Sequence, residues 1–114
     1  MEEKSARKEI KISDQFYESF EQVYDFGLEI FGYFQAENYK QQIRQLLDLL
    51  KDFYLAYPEC RHLLTKSRIY RNIILDSHLI IYRITKKHIE VLDIIHSASS
   101  IRKIRNVRNI RLRQ

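Results

Sequence analysis

The 114-residue chain holds one cysteine, one proline, two glycines and no tryptophan. A lone cysteine, Cys60, excludes an internal disulfide and leaves a reducing compartment open. So little glycine and proline argues against long loops, low-complexity linkers and glycine-rich phosphate cradles. No apolar run approaches the roughly 18 residues that a membrane span needs. The opening stretch, MEEKSARKEIK, lacks the basic start and apolar centre of a secretory signal. The expectation is a cytoplasmic protein without membrane contact, folded as a single domain over residues 1–114 with a core at about 9–104.

What the chain does have is charge, unevenly placed. Residues 1–57 carry 7 Lys/Arg against 11 Asp/Glu, a balance of −4. Residues 58–114 carry 13 against 4, a balance of +9. Such polarity suggests an anionic partner for the second half, either nucleic acid or an acidic protein segment.

Hydrophobic spacing orders the rest. Ile10 and Ile12 alternate within residues 8–13, which predicts a short strand. Ser13 or Asp14 then caps a helix running from 14 to about 33. Phe16, Phe20, Val23, Ile30, Phe31 and Phe34 form its aromatic-rich stripe, predicted to be buried. Gly27 inside it costs about 1 kcal/mol relative to alanine, which a close neighbouring backbone would explain. Gly32 helps to end it. A second helix is predicted over about 36–56 with Ile43, Leu46, Leu47, Leu50 and Phe53 on one side. The short join makes the two helices an antiparallel pair, and Pro58 stops the second.

Residues 59–68 read as a polar connection with Leu63 and Leu64 tucked inside. Strands are predicted at about 69–75, 79–85 and 89–96, joined by turns at Asp76-Ser77 and Lys86-Lys87. Connections this short allow only an antiparallel meander. The runs Ile73-Ile74-Leu75 and Leu79-Ile80-Ile81 are apolar on both faces, as expected of strands central in a covered sheet. Beyond them Ile101, Ile104, Val107 and Ile110 recur every third residue, with Arg102, Arg105, Arg108 and Arg111 beside them. Ser99 or Ser100 is placed to cap a last helix, although a period of three drifts around an α-helix. The tail at 101–114 has six basic residues and no acidic one.

The order of a strand, a helical hairpin and a three-stranded meander resembles the RelE/ParE toxins of type II toxin–antitoxin systems. The distinctive segments are Tyr70-Arg71-Asn72-Ile73-Ile74, then the Tyr82-Arg83 pair closing an aliphatic strand, then Val91 to Ile95-His96. Pro58-Glu59 sits where family members carry a similar pair after the second helix. The resemblance implies an α+β fold with a basic C-terminal tail or helix. It also implies a growth-inhibiting toxin neutralised by a cognate antitoxin, whose often acidic segment folds along it in a hetero-oligomer.

Members of the RelE type cleave messenger RNA on the ribosome with basic side chains and a terminal Tyr or His. ParE-like members inhibit DNA gyrase and lack that set. Here Ile73 and Leu79 are aliphatic at matching strand positions, so they neither move protons nor offset phosphate charge. The basic stretch that often comes after the histidine is replaced by Ser97-Ala98-Ser99-Ser100, with the charge displaced into residues 102–113. The ParE-like subgroup is the better match.

Each of these functions has its own candidate residues. If the protein is a nuclease, His96 is the acid or base, with Arg83 and Tyr82 beside it. Arg71 and Arg83 lie in apolar strands, where they either reach solvent past their neighbours or pair with a carboxylate; the functional alternative is a basic sheet surface for an anionic partner. Arg102, Lys103, Arg105 and Arg108 offer phosphate contacts of salt-dependent strength. His62, His78 and His88 have no ligand spacing with one another or with Cys60, so no metal and no cofactor are expected. The sequence thus admits three functions: a ParE-like toxin acting on gyrase, a RelE-like messenger RNA endonuclease, and a nucleic-acid-binding module that uses its tail.

Overall fold

The computed structural model describes residues 6–112; the ends of the expected domain and of the basic tail, including Arg113, lie outside the described residues. In chain order come β1 (Glu9–Ile12), α1 (Asp14–Phe31), α2 (Tyr33–Phe53), β2 (Tyr70–Leu75), β3 (His78–Ile84), β4 (His88–His96) and α3 (Ile101–Asn106), then a 3-10 turn at Val107–Asn109. The sheet order is β1-β4-β3-β2. The meander is antiparallel, and β1 joins its far edge parallel to β4.

Ser13 turns β1 into α1. Its hydroxyl accepts from Phe16 N at 2.9 Å, filling one free donor of the first helical turn, and donates to Leu92 O at 2.5 Å. The cap is thus also a weld between helix and sheet. Gly32 alone separates the helices, with φ 92° and ψ 173°, a region only glycine enters without strain. Gly27 lies against Ala36, whose Cβ is 3.7 Å from where a methyl group at 27 would stand.

Both faces of the sheet are covered. One packs Ile73, Ile80, Tyr82, Ile89, Val91 and Ile94 against Phe16, Ile43, Leu50 and Tyr54 of the helical layer. The other packs Ile81, Leu92 and Ile95 against Cys60, Leu63, Ile104 and Val107. The C-terminal segment is therefore docked on the sheet. Its period of three is accommodated because the α-helical turn gives way to a 3-10 turn, which repeats every three residues. Ser100 caps it, accepting from Lys103 N at 3.1 Å.

Four expectations are corrected. The run Ile73-Ile74-Leu75 is not central: β2 is an edge strand, and Ile74 is 67% exposed on the face that the C-terminal segment leaves bare. Leu63 is buried, but Leu64 is 70% exposed, since the connection turns its side chain outward. The aromatic stripe of α1 is buried only at its start. Ile30, Phe31 and Phe34 are exposed, because the hairpin extends past the end of the sheet. The helix junction falls at Gly32, so α2 begins three residues earlier and ends at Phe53 rather than 56.

A bulge between β3 and β4 decides which side chains share a face. Tyr82 pairs with Val91, but Ile81 pairs with Asp93, so the register slips by one residue. Before the slip Ile89 and Val91 face the helices; after it Ile94 does. The slip carries His96 to the helical side and sets it opposite His78.

Candidate functional site

Arg83 is the most heavily engaged of the expected site residues. Its Nε bonds Glu90 Oε1 at 2.6 Å, and Glu90 Oε2 lies 3.0 Å from His88 Nε2. Its Nη1 donates to Tyr70 Oη at 3.3 Å and Arg108 O at 3.2 Å, and its Nη2 to Ile110 O at 3.1 Å. The fork thus pins the C-terminal segment to the sheet. Burial pushes the Glu90 carboxyl up, but the bonds from His88 and Arg83 outweigh it and hold the pKa below the ordinary carboxylate value.

Arg71 does comparable work on the other face. It donates to the carbonyls of Leu55, Tyr57 and Arg68 at 3.1, 3.0 and 3.1 Å, tying the chain beyond α2 to the edge strand. Tyr82 is fully buried, and its hydroxyl donates to Tyr54 O at 2.5 Å. Burial raises the pKa of that phenol. The Cys60 thiol is buried too, and burial pushes it up, so the thiolate a nucleophile needs is disfavoured.

His96 is exposed at the end of β4, its Nδ1 accepting from Ala98 N at 3.0 Å. Its ring meets that of His78 edge-on with centroids 5.8 Å apart. His78 Nδ1 lies 2.9 Å from Tyr39 Oη, which donates to Leu75 O at 3.0 Å. With the one phenolic proton spent there, the contact calls for a proton on His78 Nδ1, leaving Nε2 as the acceptor. Burial first, and His96 next, hold His78 below the usual imidazole pKa against a pull from Asp76. Burial and Asp76 push Tyr39 up to about 12.

His96, Tyr82 and Arg83 are not brought together. His96 lies at one end of the helical side, Tyr82 is sealed beneath the helices, and Arg83 is on the opposite face near the other end of the meander. What the fold does assemble is the Tyr39–His78–His96 cluster. Sequence spacing gives no signal for it, since an unshifted register would set His78 against Ile95. Beside it a cavity of about 320 Å³ opens between the helical hairpin and the β2–β3 turn, lined by Phe20, Phe26, Phe31, Tyr39 and His78 among others. No group of three or more potential metal-ligating side chains occurs among the described residues, and no helix there is long and apolar enough to cross a membrane.

The described tail residues divide by chemistry. Arg102, Lys103, Arg105, Arg108 and Arg111 are exposed, while Ile104 and Val107 are buried. Arg105 and Arg108 also line a second cavity, of about 350 Å³, with Arg61, His62, Thr65 and Tyr70. Arg61 and His62 join the tail only in space; the long stretch of chain between them conceals the grouping from a reading of the sequence.

The family model for the ParE toxin of the type II toxin–antitoxin system parDE matches residues 10–101. The chain belongs to the ParE toxin family. Among solved structures, one described as the chromosomal ParDE toxin–antitoxin system from P. aeruginosa is similar in fold. Its TM-score is 0.65 at 17% identity, covering 81% of this chain and 98% of that one. No curated protein matches. The ParE family model spans β1 to the first residue of α3, so most of the segment that Arg83 pins lies beyond the match.

Proposed function

We propose that this ParE-family toxin arrests growth by binding DNA gyrase rather than by cutting messenger RNA, and that a cognate antitoxin neutralises it. The observation that carries the binding mode is the separation of His96 from Arg83 and Tyr82. A phosphoryl-transfer site needs its acid, base and charge-stabilising groups around one reacting atom. Here the two strand candidates hold the fold together instead, Arg83 through the C-terminal carbonyls and Tyr82 through Tyr54 O. Membership of the ParE family favours gyrase as the target.

The antitoxin reading rests on the family and on charge. The second half of the chain carries a balance of +9, and the edge strand β2 leaves Ile74 exposed. An acidic segment laid there gains charge pairing and apolar burial together. Co-expression with the short reading frame adjacent to the gene tests it. Growth arrest by the toxin alone, relieved by the neighbour and accompanied by a co-purifying complex, is the expected result. Arrest unrelieved by the neighbour, with no complex formed, would count against it.

A further inference from the structure

The three guanidiniums of the second cavity have no evident structural task. Arg71 and Arg83 are consumed by backbone carbonyls and a carboxylate, but the side chains of Arg61, Arg105 and Arg108 make no hydrogen bond or ion pair among the described residues. Among the described residues no carboxylate lines the cavity. The nearest acid in sequence, Glu59, is occupied: it accepts from Thr65 N at 3.0 Å and pairs with Arg68 at 3.4 Å. Three like charges around one hollow repel one another, and an anion seated between them would relieve that repulsion.

We propose that this cavity, between residues 61–65 and the docked C-terminal segment, binds the phosphodiester backbone of a nucleic-acid strand. Two features favour phosphate over an acidic peptide. The first is periodicity. Arg102, Arg105, Arg108 and Arg111 lie outward at three-residue steps, so cations lead into the hollow and past it at regular intervals, as a regularly charged polyanion requires. The second is the lining. Leu63 is buried, which leaves Leu64 as the one open aliphatic side chain, too little for the apolar anchors that peptide recognition uses.

The contact is to backbone and not to bases. Of the two aromatic rings in the wall, Tyr70 already carries the Arg83 guanidinium at 5.7 Å from its centroid. That leaves the His62 imidazole alone, too little for a platform on which successive bases stack. Binding therefore tracks charge and is indifferent to base sequence. Arg83 is a positioning residue in this arrangement. By holding Arg108 O and Ile110 O it keeps the C-terminal segment against the sheet, and with it the outer wall of the hollow.

The test is fluorescence anisotropy with the full chain and labelled oligonucleotides of about 20 nucleotides, single-stranded and duplex, between about 50 and 200 mM salt. Binding that weakens with salt is expected. Arg61→Ala, Arg105→Ala and Arg108→Ala should each lower the salt slope by about 1, while K86A/K87A, on the β3–β4 turn, should leave it unchanged. Thermal melts matching the parent exclude misfolding, since all three arginines are exposed. Absence of salt-dependent binding, or an unchanged slope in the variant that combines all three arginine substitutions, would overturn the proposal. So would a polyglutamate peptide that binds as tightly as the oligonucleotide at equal salt and is lost in the same variants.

Discussion

Arg83 and Glu90 stand directly opposite each other on β3 and β4, with Nε and Oε1 2.6 Å apart and both side chains largely covered. The rest of the guanidinium holds two carbonyls of the C-terminal segment, so one side chain joins the sheet to the tail. Replacing it by Met leaves Glu90 poorly compensated and releases those carbonyls. Arg83→Met should cost about 3 kcal/mol in urea unfolding. It should also speed hydrogen exchange across residues 101–112. An unchanged exchange pattern would mean that the isoleucine row alone docks the segment.

Two carboxylates on β4 should act oppositely on stability as pH falls. Glu90 is held below its ordinary 4.5, so its contribution is fully present above that value and is lost as pH drops through the folded pKa. Asp93 is buried at the bulge and raised above its ordinary 3.8, chiefly by burial, against bonds from Ser19 and Ile94 N. Its penalty is fully present above the folded pKa and disappears as pH falls toward 3.8. Asp93→Asn should therefore raise the melting temperature at neutral pH and lose that gain in acid. Glu90→Gln should lower it at neutral pH, by an amount that fades in acid. Parallel pH profiles for parent and variants would contradict both assignments.

The two glycines should respond in opposite directions. Gly27→Ala gains helix propensity and meets Ala36 at an ordinary contact distance, so it should stabilise by about 0.5–1 kcal/mol. Gly32→Ala forces a side chain into the region at φ 92° and should cost about 1–3 kcal/mol. Chemical denaturation of the pair measures both.

Much of this architecture is legible in the chain. Amphipathic spacing from Phe16 and from Ile43 gives the two helices, and three short apolar runs parted by the polar turns Asp76-Ser77 and Lys86-Lys87 give the meander. Three features are not. The parallel pairing of Ile12 with Val91 joins segments about eighty residues apart, and no local pattern records it. Whether an apolar strand is central or at an edge depends on which strands pair with it, and whether its second face is buried depends on what covers it, which is why Ile74 misleads. The bulge beside Val91 shows no glycine or other marker, yet it decides that His96 meets His78. The candidate nuclease residues look adjacent because Tyr82, Arg83 and His96 belong to neighbouring strands. The alternation of faces parts Tyr82 from Arg83, and the slip in register puts His96 on the face away from Arg83. The length of the strands keeps His96 from Tyr82, which pairs with Val91.

Tyr82→Phe separates a structural tyrosine from a chemical one. Loss of the bond to Tyr54 O leaves a buried carbonyl without its donor, at a cost of about 1–3 kcal/mol. Growth inhibition should persist at temperatures where the variant is folded. A variant that keeps the parent's stability and loses its toxicity would place the hydroxyl in a reaction.

Inhibition by binding gyrase is tested most directly by the first event after induced expression in a bacterial host. Plasmid topology and pulse labelling are read in the same culture, for the parent and for His96→Ala. Early loss of negative supercoiling or a DNA-damage response is expected before protein synthesis slows, with the His96→Ala protein behaving as the parent does. Early arrest of protein synthesis with cleaved messages and intact supercoiling, abolished by His96→Ala, would contradict it.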